Sequence, residues 1–161
     1  MVFVTVGTHE QQFNRLVKAV DDLVADGTIT EPVFIQIGYS DYKPVHCEHS
    51  QFVPAAHMKE LMTQADVVIT HGGPSSFIEA MAAGKCPVVV PRRAEYGEHV
   101  NDHQVDFVHI VAERQGGIVP CYDVAELPDA INKARSLSDE HSFHSHNAEF
   151  CDELTKLIEG L

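Results

Sequence analysis

The segment His71-Gly72-Gly73-Pro74-Ser75-Ser76 places two glycines and two hydroxyls between an apolar run and a helical pattern. In such a turn backbone N–H groups lie at the positive end of a helix dipole, which suits a diphosphate, and the serines add hydroxyl donors. The same glycines also serve a bare strand-to-helix turn, which needs small residues whatever it binds. Glu79 follows one helical turn into the helix, within reach of two ribose hydroxyls. Phe52-Val53-Pro54 upstream and His103-Gln104 downstream complete a set that describes a nucleoside diphosphate with something attached. His9 and Glu10 lie after the first apolar run. An imidazole titrating near neutrality can deprotonate an acceptor hydroxyl or stabilise a departing phosphate, and Glu10 is the competing base. Read without chemistry, the pair is a loop histidine and a glutamate in the first turn of a helix.

These groups need elements to hold them. Val2-Phe3-Val4-Thr5-Val6 is a β-branched run ending at Gly7, and Phe13, Leu16, Val17, Val20, Leu23 and Val24 follow at helical spacing. A second strand is expected at Val33 to Ile37, then an irregular stretch, then a helix opened by Pro54 and running through Met62. Asp66 to Thr70 is an apolar strand, Phe77 to Ala83 a helix preceded by capping hydroxyls and closed by Gly84, and Pro87 to Val90 another strand. A helix is expected near Val100 to Glu113, a strand at Gly117 to Val119, a helix from about Val124 to Arg135, and a terminal amphipathic helix over residues 145–161. Its apolar face, Cys151, Leu154, Leu157, Ile158 and Leu161, either caps the core or docks a partner.

Apolar strands alternating with helices imply an α/β fold, a Rossmann-like parallel sheet with helices on both faces and right-handed crossovers. Ligands of such sheets bind at the carboxyl ends of the strands. At 161 residues the chain fits one domain. A formal charge of -13 excludes general affinity for nucleic acid and unaided adhesion to an anionic membrane. Four scattered cysteines without a C-x-x-C pair suggest no disulfide framework or thiolate zinc site, which fits a cytoplasmic protein. No stretch approaches the roughly 20 apolar residues that cross a bilayer.

The ordered segments Phe52-Val53-Pro54, Ala65 to Ala80 (ADVVITHGGPSSFIEA) and Gly84 to Pro91 (GKCPVVVP) resemble the C-terminal half of family 28 glycosyltransferases. Val4-Thr5-Val6-Gly7-Thr8 and the chain length are similar, more narrowly, to small catalytic subunits of two-subunit UDP-sugar transferases. These include the N-acetylglucosaminyltransferase of lipid-linked oligosaccharide assembly and bacterial exopolysaccharide counterparts. His9-Glu10-Gln11-Gln12 after Gly7-Thr8 is closer to the bacterial branch. The resemblance implies a single GT-B half-domain that binds a UDP-sugar as donor substrate, with no separate cofactor. It further implies inverting transfer to a lipid-linked sugar held by a membrane-anchored acceptor subunit, at the cytoplasmic membrane face. By the same resemblance Gly72, Gly73 and Ser75 would hold the diphosphate and Glu79 the ribose hydroxyls, with Gly7, Thr8 and Ser76 also among the donor-binding residues. Phe52 and Val53 would take the uracil by stacking and backbone contacts, and His103 and Gln104 the sugar hydroxyls. His71 would brace the glycine turn or donate to a phosphate.

The alternative function is a non-catalytic nucleotide-sugar-binding or enhancer subunit of a separate transferase. The eleven histidines invite a metal reading at His46/His49, His99/His103 and His141/His144/His146, but no carboxylate or cysteine completes a set and D-x-D is absent, so no metal is expected. Arg92-Arg93 reads either as a phosphate or partner contact or as a solvated loop pair. Cys86 and Cys121 read as small buried hydrophobes. A partner-binding face left uncovered would also favour a homodimer of the isolated chain.

Overall fold

The computed structural model describes residues 1–140 and, beyond them, residues 152, 153, 155–157, 159 and 160. In chain order the elements are β1 (Val2–Thr5), α1 (Asn14–Ala25), β2 (Val33–Gln36), β3 (Glu48–Ser50), α2 (Ala55–Gln64), β4 (Val67–His71) and α3 (Pro74–Ala82). Then come β5 (Val88–Val90), a 3-10 turn at Ala94–Tyr96, α4 (His103–Arg114), β6 (Val119–Pro120), a 3-10 turn at Val124–Glu126 and α5 (Leu127–Glu140).

The strands form one six-stranded sheet in the order β3-β2-β1-β4-β5-β6, and every neighbouring pair is parallel. This is the doubly wound order in which the chain reverses direction across the sheet between β1 and β4. The loops leaving β1 and β4 therefore diverge and open a crevice at the carboxyl ends of the strands.

Alternation along the strands sorts the core into two layers. Val2, Val4, Ile35, Val67, Ile69, Val88 and Val90 face α1 and α5, where they pack on Leu16, Val17, Val20, Leu127 and Ile131. Phe3 and Val68 face Leu61 and Met62 of α2 and Ala80 of α3, while Val89 meets Phe77, Met81, Val108 and Val111 of α3 and α4. Each fully buried aliphatic or aromatic side chain contributes roughly 1.5–3 kcal/mol, so these layers hold the strand ends in register. Cys86 and Cys121 are buried free thiols, as expected.

Several expectations are corrected in detail. The irregular stretch after β2 contains the edge strand β3, whose residues Glu48, His49 and Ser50 carry no apolar signal because neither face of it is fully covered. Helix α3 begins at Pro74, so Ser75 and Ser76 lie inside its first turn; Gly73 is the N-cap and no side chain caps it. Helix α1 begins at Asn14, which leaves Glu10 in the loop and outside any helical first turn. The helix placed near Val100 starts at His103, and the one placed at Val124 starts as a 3-10 turn before α5. The terminal amphipathic helix falls largely outside the described residues. Of its predicted face only Leu157 is described, within a helical turn and packed against the α3–α4 cluster. The histidines 141, 144 and 146 also lie outside.

Candidate functional site

His71, the last residue of β4, organises the crevice. Its ring is nearly enclosed, and the Gly73 amide donates to its Nδ1 at 3.1 Å. With Nδ1 accepting, the ring proton sits on Nε2, which donates to Ser76 Oγ at 3.1 Å. Burial, foremost, with Arg92 and His9 nearby, holds the imidazole down to about 3, so it is neutral near pH 7. A neutral His71 therefore braces the turn and orients the Ser76 hydroxyl, whose own proton remains to be given to a ligand.

The glycines are explained by this ring. A Cβ on Gly73 would sit 2.1 Å from His71 Cε1, and one on Gly7 2.3 Å from His71 Nε2. Gly7 also has φ of +75°, a left-handed conformation that glycine adopts at no steric cost. The Gly72 amide donates to Gln104 Oε1 at 3.1 Å, and the same oxygen accepts the Arg92 amide at 3.0 Å. The amides of Gly72 and Gly73, expected to hold a diphosphate, are thus both engaged within the protein. The helix geometry leaves the Ser75 and Ser76 amides without intrahelical acceptors. Gln104, expected to meet sugar hydroxyls, has its Oε1 engaged by these two amides, and its Nε2 lies 3.5 Å from His71 Nδ1.

Two cavities flank the turn. One of about 200 Å³ is lined by Gly7, Thr8, His9, His71, Ser75, Ser76 and Glu79 together with Thr5, Gln36 and Met58. The other, about 580 Å³, is lined by Gly72, His103 and Gln104 with Pro74, His99, Asp106, Phe107 and Ile110. The structure therefore gathers ten of the fourteen predicted site residues around one turn. Glu10, Phe52, Val53 and Gly73 line neither cavity.

Phe52 is 40% exposed and meets Tyr39, itself 48% exposed, edge to face at 5.4 Å between centroids. Its carbonyl accepts the Ser50 hydroxyl and the Val53 amide donates to Gln36 Oε1, so these two backbone groups, expected at a base, are occupied. The paired rings still offer a stacking edge, and Tyr39 was not anticipated.

The polar floor of the smaller cavity was also missed. Thr5 and Gln36, which line it, stand in register at the ends of β1 and β2, and Thr70 of β4 lies beside Thr5 outside the lining. Gln36 Nε2 and the Gly7 amide both donate to Thr5 Oγ1, each at 3.1 Å. Thr70 Oγ1 is buried and has no hydrogen-bond partner among the described residues.

Arg92, read as a phosphate contact or a solvated residue, is neither. It is fully buried over the Phe13 ring, and its guanidinium donates to the carbonyls of Val6, Gln11, Gln12 and Glu98. Burial lowers it to about 10, opposed by the Glu98 carboxylate, so it remains a cation. Buried Glu98 accepts two hydrogen bonds from Arg15 and one from the Arg93 amide. This network ties the β1–α1 loop to the β5–α4 loop, and nothing in the sequence distinguishes a tethering arginine from a free one. Among the described residues no group of three His, Cys, Asp or Glu side chains is placed to hold a metal, and no helix is long and apolar enough to cross a membrane.

A six-stranded parallel sheet with a crevice between its first and fourth strands defines a Rossmann-like domain of the kind that forms half of a GT-B glycosyltransferase. The chain belongs to glycosyltransferase family 28, matching the family's C-terminal domain over residues 1–156. It is similar in fold to the glycotransferase of kitacinnamycin (22% identity, TM-score 0.56), covering 96% of this chain and 38% of that one. It is likewise similar to CalG4, the calicheamicin glycosyltransferase (17%, 0.54), covering 96% and 38%. Acinetobacter baumannii MurG gives 17% identity and a TM-score of 0.51, with 95% and 49% covered. The chain thus spans between about a third and a half of these proteins' length. No curated protein matches the sequence.

Proposed function

We propose that the chain is the donor-binding, catalytic subunit of a two-component transferase that moves a sugar from a UDP-sugar to an acceptor held by a second polypeptide. The observation carrying this reading is the convergence of Thr8, Ser75, Ser76 and Glu79 on one cavity at the point where the chain reverses across the sheet. In this reading the Ser75 and Ser76 amides and hydroxyls hold the diphosphate, and Gly72 and Gly73 shape the turn around His71. Glu79 accepts from the ribose hydroxyls, the Phe52–Tyr39 edge stacks on the uracil, and His103 with Gln104 Nε2 meets the sugar in the larger cavity.

Transfer proceeds by single displacement with inversion. The acceptor hydroxyl attacks the anomeric carbon, and the C–O bond to the β-phosphate breaks. The helix dipole and the serine donors stabilise the departing UDP, without a divalent ion. His9 or Glu10 takes the acceptor proton, or His9 stabilises the leaving group and the base comes from the partner. The acceptor is a polyprenyl-diphosphate sugar presented by a membrane-anchored subunit, in bacterial polysaccharide synthesis.

Calorimetric titration with UDP tests the donor site. Wild type should bind, and Glu79→Ala should bind about 10- to 100-fold more weakly, because a hydrogen bond to a charged group contributes roughly 1.5–3 kcal/mol. Equal affinities, or no binding by wild type, refute it. Sugar transfer by Glu79→Ala at the wild-type rate with the partner present would make the chain an enhancer and not the catalyst.

A further inference from the structure

His9 and His99 come from different loops and stack face to face, with ring centroids 4.6 Å apart and planes 5° from parallel. His9 lines the smaller cavity and His99 the larger, so the stacked pair sets one ring on each cavity. The Asn101 amide donates to His99 Nδ1 at 3.3 Å, which puts that ring's proton on Nε2. His9 Nε2 donates to Gln11 Oε1 at 2.9 Å, which leaves its Nδ1 lone pair without a partner among the described residues. Each neutral ring thus has one nitrogen anchored and one available.

The charges around the pair are mostly of one sign. Arg92 is a fixed cation close enough to disfavour a proton on His99. The nearby acids are engaged or set apart. Glu98 is taken by Arg15 and the Arg93 amide, and Asp102 accepts the Ala94 amide. Glu79 and Asp106 line one cavity each, and Glu10 is exposed in the loop beside His9. Among the described residues neither ring is hydrogen-bonded to a carboxylate. Burial, then His9, then Arg92 hold His99 below the usual histidine value, so an added proton is disfavoured while the site is empty. A diphosphate reverses that balance, because its negative charge favours both the fixed guanidinium and a protonated imidazole.

We infer that His9 and His99 act as one anion receptor, which takes up a proton from solvent as it closes on the diphosphate of a donor spanning both cavities. The inference rests on the donor-site reading above and deepens it. A pair already protonated by the bound donor stabilises the leaving UDP and cannot also be the base. That role falls to Glu10 or to the acceptor subunit.

The test is calorimetry of the full chain with UDP and with uridine between pH 7 and 8, in buffers of different ionisation heat. Wild type should take up close to one proton per UDP, with affinity falling toward tenfold per pH unit. His9→Phe keeps a stacked ring without the nitrogen that is free to take the proton, and His9→Gln removes both. Both should lose most of the uptake and of the pH dependence while binding uridine as wild type does, which also reports that they are folded. The titration of UDP itself is common to all three proteins, so the difference between them is read. UDP binding with the same proton uptake in wild type and His9→Phe overturns the receptor alone, and absence of UDP binding in wild type overturns the donor site with it.

Discussion

The two faces of the sheet end differently at the carboxyl edge. On the α1–α5 face the apolar layer runs the full length of the strands and is closed by Phe13, with the Arg92 guanidinium laid 4.9 Å above that ring. On the α2–α3 face Phe3 and Val68 give way, two residues along, to Thr5 and Thr70, with Gln36 beside them. Strand side chains alternate, so one substitution pattern can seal one surface while opening a polar pocket on the other. The buried cation on the sealed side holds the loop that forms the pocket's rim. The stability of one face and the shape of the pocket on the other are therefore coupled through Arg92.

Removing the seal should have the largest effect. Arg92→Ala leaves the carbonyls of Val6, Gln11, Gln12 and Glu98 without their donor and opens a void over Phe13. The expected loss is about 3–5 kcal/mol in denaturant unfolding, the range for breaking a buried charged network. A loss below about 1 kcal/mol would mean that the two faces are independent.

A second effect is graded by pH. His71 titrates at about 3 when folded, against 6.5 for an unperturbed histidine. The unfolded chain therefore takes up the proton first, and the contribution is complete above pH 6.5. Stability should decline as pH falls from 6.5 toward 3, by up to about 1.4 kcal/mol per unit. His71→Gln should flatten that slope, read as unfolding midpoints at pH 7, 6 and 5. A slope unchanged in the variant would show that His71 is not the group responsible.

The smallest change sharpens the contrast on the open face. Thr70→Val removes a buried hydroxyl that has no partner among the described residues, and should stabilise the empty protein by up to about 1 kcal/mol. Its thermal midpoint should rise, whereas a fall would mean that the hydroxyl is satisfied by bound water.

The sheet, the helices between its strands and the turn at residues 71–76 were legible because their signals are local: apolar runs, helical spacing and a Gly-Gly-Pro sequence. Glu79 and the serines could be placed by their distance from that turn, whereas Gln104 took its role from the family resemblance. The edge strand β3 was not, since Glu48, His49 and Ser50 present no periodicity to read. Nor were the partners of each group, because hydrogen bonds such as Gly72 to Gln104 and Arg92 to Val6 join residues 32 and 86 positions apart. The glycine amides looked free for a ligand because sequence spacing contains no record of the acceptors that claim them. His99 was visible as a neighbour of His103, yet its contact with His9 depends on two loops meeting in space.

The short rims of the sheet govern how copies of this chain can meet. At one rim lie three polar residues, and at the other two residues ending in Pro120, which has no N–H to offer. Such margins are poor templates for a further strand, a geometry that guards against fibrous growth. Any second molecule is therefore steered toward the helical sides or the loop crown.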